Sequence, residues 1–282
     1  MKRGGEDLAL LRDLLAALEE HGNACFLVGA GARILALDAR FGIAGARATF
    51  DWDFAVRVES WAEWATVREA LCLGAFHPTT AQHRLVHEHG GQLDLVPFGD
   101  LETNTGEIVW PDESRMSVRG FAEAARHCVA IELEGGLRVQ VASLPSLALL
   151  KLHAYAERRR RGVVKDIQDF DWILRHYDFP SEHVLRIHDE LAEALIATGT
   201  DYSEAGAMLL GSDLARFHTT DAIEPLRSLL EELVDAYSRA VEDMLLASGR
   251  DGDEDARDEV RRRTVARGRA FLRGVWGVNT ES

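Results

Sequence analysis

The spacing of apolar residues divides the chain into two parts of different character. Leu8, Leu11, Leu14, Leu15 and Leu18 recur at helical spacing over 6–21, and Gly22-Asn23 supplies a stop. The short apolar run 24–28 predicts a buried strand. Gly29-Ala30-Gly31 then turns the chain into a helix over about 32–41. Residues 49–58 (TFDWDFAVRV) alternate and are rich in aromatic and β-branched side chains, which predicts a strand. A helix is predicted over 61–73. A hairpin is predicted over 85–96, with Gly90-Gly91 as its two-residue turn. Strands are expected at about 127–134 and 137–142, joined through Glu134-Gly135-Gly136.

Beyond Pro145 only helical periodicity remains, at about 145–160, 164–177, 181–198, 201–211, 221–247 and 254–273. The expected class is α+β, with a mixed N-terminal domain over 1–142 and a helical domain over 143–282.

Composition narrows the function classes. With 282 residues, 46% of them hydrophobic and 28% charged, the chain can bury a sizeable core. It has no apolar run near the ~18 residues needed to span a bilayer, and no apolar leader segment at its start. A cytoplasmic protein without a membrane partner is therefore expected. Cys25, Cys72 and Cys128 are odd in number and form no CxxC pair, which supports neither a disulfide framework nor a zinc knuckle. The net charge of −15 opposes non-specific nucleic-acid binding, but Arg158 to Arg161 form a local basic run.

Candidate chemistry centres on Asp51-Trp52-Asp53. On a strand the two carboxylates project to one side and Trp52 to the other. Such a pair repels itself unless a cation lies between, and Mg²⁺ suits oxygen ligands completed by phosphate. Asp94, between Leu93 and Leu95 on another predicted strand, can join the same acidic face. Three carboxylates on neighbouring strands suit two-metal phosphoryl or nucleotidyl transfer. Gly29 and Gly31, between a strand and a helix, let backbone N–H groups approach a phosphate. A lone DxD is often only a solvated surface pair, and the upstream strand–glycine–helix unit is what raises this one above that. A dinucleotide-binding reading competes, but Ile34 stands where the third small residue of that fingerprint belongs. No P-loop motif is present.

Lys151 sits in a helical apolar stripe, with Leu147, Ala148, Ala154 and Tyr155 around it. It either snorkels to an edge or reaches nucleotide phosphates, and Asp166 is placed to pair with it or orient it. The arginine run is either a solvated helix end or a hold on an RNA acceptor strand. His77, His83, His87 and His89 lack a completing cysteine or carboxylate and read as ordinary hairpin histidines. Trp61 and Trp64 read as core.

Three stretches carry a resemblance: Phe26 to Arg33 (FLVGAGAR), Arg47 to Phe54 (RATFDWDF) and Leu93 to Gly99 (LDLVPFG). Together they resemble the bacterial nucleotidyltransferases of the AbiEii/AbiGii toxin-like group, which have the DNA polymerase β-like nucleotidyltransferase fold. Residues 142–145, 149–152 and 165–169 agree, and the similarity runs over about 6–178. The resemblance implies a mixed-sheet transferase core with flanking helices followed by a helical domain. It implies Mg²⁺ or Mn²⁺ on the paired carboxylates Asp51 and Asp53, with Lys151 assisting catalysis; the strand reading adds Asp94 as a third metal ligand that assists or acts as base. It further implies a nucleoside triphosphate near Gly29, Ala30, Gly31, Arg33, Arg47, Thr49, Lys151, Lys165 and Asp166. A tRNA or protein acceptor and a cognate antitoxin are the implied partners. The turn here is Gly-Ala-Gly and lacks the hydroxyl usual in that fold. This motivates an alternative: a nucleotide-sensing or interaction module that has kept the fold and lost the chemistry.

Overall fold

In a computed structural model, residues 4–43, 51–246 and 254–277 are described. The chain divides into two compact units, Met1–Ser143 and Leu144–Ser282.

The first unit is built on a mixed seven-stranded sheet. Helix α1 (Gly4–Glu20) precedes β1 (Cys25–Val28). Leu10, Leu11, Leu14 and Leu18 form its fully buried stripe, whereas Leu8 and Leu15 are only half-buried. The inward face is thus rotated slightly from the one the leucine spacing suggested. After β1 the chain is helical at once, through α2 (Gly29–Arg33), a π-helical stretch (Ile34–Asp38) and α3 (Ala39–Phe41). The expected glycine turn is therefore the first turn of the helix. Then come β2 (Asp51–Val58), α4 (Trp61–Leu73), β3 (Phe76–Pro78), β4 (Arg84–His87) and β5 (Gln92–Gly99). Ser60 caps α4 by accepting from the Glu63 N–H.

A small two-stranded sheet, β6 (Glu107–Val109) and β7 (Arg115–Ser117), and α5 (Phe121–Ala125) fill a stretch where periodicity predicted nothing. Strands of three residues are too short to show an alternation. The hairpin β8 (Cys128–Glu132) and β9 (Arg138–Ala142) turns through Glu134–Gly136, as its sequence predicts.

Strand order in the large sheet is β3-β4-β5-β2-β1-β9-β8. The β2–β5 and β1–β9 pairs are parallel and the others antiparallel. Phe54, Val56, Leu93 and Leu95 fill the core beneath the sheet. Above it, Phe26, Phe98 and Phe121 form an edge-to-face triangle with centroids 5.6–6.4 Å apart. Trp64 is buried and, with Trp61, packs on Trp110, so these indoles belong to the core.

The second unit is helical. It comprises α6 (Leu144–Arg158), α7 (Lys165–His176), α8 (Ser181–Arg186), α9 (Ala192–Thr198), α10 (Ala205–Phe217), α11 (Thr220–Ile223), α12 (Arg227–Glu232), α13 (Arg239–Leu245) and α14 (Glu254–Trp276). The single helix expected over 221–247 is three short ones. Pro225 sits in the 3₁₀ turn after α11, and Ser238 caps a fresh start at α13 by accepting from the Val241 N–H. A buried polar anchor joins three segments: Asp213 accepts from Tyr177 Oη at 2.6 Å and from both terminal nitrogens of Arg186 at 2.6–2.7 Å.

The α10–α14 crossing depends on glycines. A Cβ on Gly211 would collide with the Phe271 carbonyl, and one on Gly274 with the Met208 carbonyl. The backbones approach too closely for any side chain there. Gly211→Ala should therefore destabilise the protein by about 1–3 kcal/mol, the usual cost of overpacking. Gly5→Ala, with nothing within 4 Å of the added carbon, should be neutral or slightly stabilising. Urea denaturation of the two variants checks both.

Candidate active site

Strand pairing assembles the acidic face. Asp53 is opposite Val28 of β1 and opposite Asp94 of β5, and Asp94 is opposite Arg84 of β4. Val28, Asp53, Asp94 and Arg84 thus form one row across four neighbouring strands. Directly paired residues share a face. Asp51, two residues before Asp53, joins them. Trp52 points the opposite way and is buried, and its Nε1 donates to Asp7 of α1 at 3.2 Å. A Cβ on Gly31 would lie 3.3 Å from the Trp52 ring, so α2 rests on that indole. The apolar side of β2 is therefore sealed by α1 and α2, and its carboxylates are turned to the other side.

Gly29 brings the glycine turn onto the acids. Its φ is +70°, a left-handed conformation that favours glycine, and an added Cβ would lie within 2.8 Å of the Asp53 carboxyl carbon and against Oδ2. No side chain fits between the Gly29 backbone and Asp53. Ala30 and Gly31 are buried in the following turn.

Sequence reasoning missed Arg84. Its Nε donates to Asp94 Oδ1 at 2.6 Å and its Nη2 to Asp94 Oδ2 at 2.7 Å, a two-pronged fork. Nη2 is also 3.9 Å from Asp51 Oδ2. The hydrogen bonds to Asp94 raise the guanidinium pKa further above its already high value, and the charges of Asp94, Asp51 and Asp53 add to the effect.

The missed partner follows from the hairpin turn. A two-residue Gly90-Gly91 turn would set His87 opposite Asp94. The loop is wider instead: the Gly90 N–H donates to the His87 carbonyl at 2.8 Å and the His87 N–H to the Gly91 carbonyl at 3.1 Å. That register sets Arg84 opposite Asp94. His87 is buried, and its Nε2 donates to Asp13 of α1 at 3.0 Å while its Nδ1 accepts from the His89 N–H. Among the described residues, no three His, Cys, Asp or Glu side chains converge as a ready-made metal cage.

The donor set nevertheless fits Mg²⁺ or Mn²⁺. Asp51 and Asp53 are oxygen donors on one face, beside a backbone that no Cβ obstructs. Mg²⁺ in phosphate chemistry takes one or two carboxylates, and phosphate and water complete its shell. Both oxygens of Asp94 accept from Arg84, so a cation drawn to Asp94 would meet the like charge of the guanidinium, whereas Asp51 and Asp53 suffice for the one or two carboxylates such an ion takes.

Other expected site residues are placed as follows. Arg33 is buried and pairs with Asp38 at 2.6 Å across the π-helical stretch. Arg47 and Thr49 lie outside the described residues. In the second unit, Lys151 is buried, with Nζ 2.6 Å from Asp169 Oδ2 and 3.6 Å from Asp166 Oδ1. Arg158 approaches Asp166 Oδ2 at 3.0 Å. Two cations from α6 and two carboxylates from α7 so form a neutral quartet. Asp166 is a partner of Lys151 as expected, and Asp169 is the nearer one. Lys165 is exposed. In the basic run, Arg159 bonds Glu232 at 2.7 Å, whereas Arg160 and Arg161 are exposed. Burial pushes the thiols of Cys25 and Cys128 up to about 12, which leaves neither a nucleophile near neutrality.

Comparison with known proteins gives a family match. The family described as nucleotidyl transferase AbiEii toxin, type IV toxin–antitoxin system, matches residues 11–264. No curated protein matches. Among solved structures, the antibiotic-resistance factor ANT(2″)-Ia, whose solution structure reveals substrate-regulated conformation dynamics, superposes with a TM-score of 0.37. Its identity is 16%, over 81% of this chain and 92% of that one. A superposition that loose bears no weight on fold or activity.

The buried quartet makes its own prediction. Lys151→Met should destabilise the protein by about 3–5 kcal/mol, because Asp169 loses its nearest cation in a buried site. Asp51→Asn, at a half-exposed carboxylate, should change stability little. Thermal or urea unfolding of the two variants separates the outcomes.

Proposed function

The chain belongs to the AbiEii nucleotidyl transferase toxin family, and we propose that it moves a nucleoside monophosphate from a triphosphate to an acceptor hydroxyl, with Mg²⁺ or Mn²⁺ held by Asp51 and Asp53. The observation that carries this reading is the row formed by Asp53, Asp94 and Arg84, with Asp51 beside it and Gly29 against the Asp53 carboxylate.

In the reaction, a bond forms between the acceptor oxygen and the α-phosphorus. The bond from that phosphorus to the bridging oxygen of pyrophosphate breaks, pyrophosphate departs, and the hydroxyl proton passes to solvent. Asp51 and Asp53 would hold a divalent ion there, and the chemistry it would supply is charge neutralisation on the triphosphate and acidification of the attacking hydroxyl. The residues provide the rest. Asp51 and Asp53 are fixed by strand pairing, so they require no rearrangement to act together. The Gly29 backbone borders them without a side chain, which leaves room for a phosphate oxygen. Trp52, locked between α1 and α2, keeps the strand from rolling.

The acceptor we favour is the end of a tRNA or a protein side chain, and the family context adds a cognate antitoxin as a partner. No helix among the described residues is long and apolar enough to cross a membrane. A reaction that draws on cellular triphosphates fits a cytoplasmic site. A second reading, nucleotide binding without transfer, is favoured by the Arg84 fork, which occupies both Asp94 oxygens.

Label transfer from each of four α-³²P nucleoside triphosphates into total tRNA and into protein separates the two readings. With Mg²⁺, label should enter one acceptor class. EDTA should abolish it, and Asp51→Asn with Asp53→Asn should lower it by at least about a hundredfold. Triphosphate binding without label in any acceptor establishes the sensor reading instead.

A further inference from the structure

Arg84 has no role so far beyond holding Asp94, yet its placement is specific. It is opposite Asp94 in the β4–β5 register, on the face that carries Asp51 and Asp53. Nε and Nη2 are spent on the two Asp94 oxygens, while Nη1 has no partner among the described residues. The side chain is one-third exposed, whereas Asp94 is 13% exposed, so the carboxylate is the enclosed member and the guanidinium faces outward. The fork is also rigid: two bonds in one plane fix the direction of the third nitrogen.

A metal-ligating Asp94 would draw the cation against the guanidinium that already bonds both its oxygens at 2.6–2.7 Å, and the two like charges would repel. A positioning Asp94 meets no such repulsion. Its charge balances the guanidinium, and its two oxygens fix the guanidinium plane, with Nη2 3.9 Å from Asp51 Oδ2. Resting on the transferase reading above, we propose that Arg84 is a ligand for the triphosphate, donating through Nη1 to a phosphate oxygen, and that Asp94 is its positioning residue and not a metal ligand. The divalent site is then Asp51 and Asp53 alone, and the third carboxylate acts only through the arginine.

The test uses the full chain and two readouts other than turnover. Mn²⁺ binding is followed by electron paramagnetic resonance, and binding of each of the four nucleoside triphosphates by calorimetry with Ca²⁺. The variants are Arg84→Gln, Arg84→Lys, Asp94→Asn and the double Arg84→Gln/Asp94→Asn, each checked for folding by circular dichroism. Expected is Mn²⁺ affinity within about threefold of wild type in Asp94→Asn and in Arg84→Gln, the small shift left by changing one part-exposed charge near Asp51. Triphosphate binding should be weaker by roughly tenfold to a hundredfold in both, as for loss of a charge-assisted hydrogen bond. The double variant should be no worse than either single one, because both remove the same unit. Arg84→Lys, which keeps the charge and loses the fork, should fall between wild type and Arg84→Gln.

Mn²⁺ binding weaker by about tenfold or more in Asp94→Asn, together with binding tighter by about tenfold or more in Arg84→Gln, overturns the inference, since shifts that large make Asp94 a ligand and Arg84 its competitor. Wild-type triphosphate affinity in all four variants overturns it as well and leaves the transferase reading standing. A wild-type chain that binds neither Mn²⁺ nor any of the four triphosphates removes that reading and this inference with it.

Discussion

Three carboxylates on two adjacent strands require positive charge beside them, and much of the first unit is arranged around that requirement. Side chains opposite one another on paired strands lie about 5 Å apart. At that distance two unit charges repel by roughly 3 kcal/mol at an effective dielectric of 20. The sheet supplies one answer itself, the guanidinium of Arg84 across β4 and β5. A divalent ion beside Asp51 and Asp53 would supply another. The apolar half of β2 makes the arrangement rigid: Trp52, Phe54 and Val56 are buried, so the strand cannot turn to relieve the repulsion.

The second unit meets the same constraint differently. Lys151 and Arg158 on α6 face Asp166 and Asp169 on α7, so buried charge is balanced pairwise by helix packing. The apolar neighbours of Lys151 raised the question of what the lysine was doing there. Its burial beside Asp169 and Asp166 provides a structural answer. Whatever it contributes to chemistry must be compatible with that pairing.

Local signals were legible in the sequence where one residue type decides. The alternation around Asp51 and Asp53 placed β2 and its two faces, and the span 61–73 was read to the residue. The mixed sheet followed by helices is the architecture that the periodicities and the family resemblance implied. Features set by tertiary geometry were not legible. Gly90 and Gly91 announced a turn, but both have positive φ and fit several loop geometries, so the register that brings Arg84 to Asp94 was hidden. The break of 221–247 was signalled by Pro225, yet the apolar stripe ran through it. Nothing local distinguishes Asp169 from any surface acid until α7 lies on α6.

The β2–β5 pairing also limits how this chain can change over evolution. Its eight paired positions run in parallel from Asp51↔Gln92 to Val58↔Gly99. A single residue inserted or deleted inside β5 would put Leu93 or Leu95 in the place of Asp94 and turn the carboxylate into the core, because side-chain direction reverses with each step. A two-residue change would restore the facing but separate Asp94 from Asp53. Length variation is therefore confined to the connections that lie outside the strands, such as 100–106 or 110–114. Among descendants of this sequence, the site is inherited as a unit or lost as a unit.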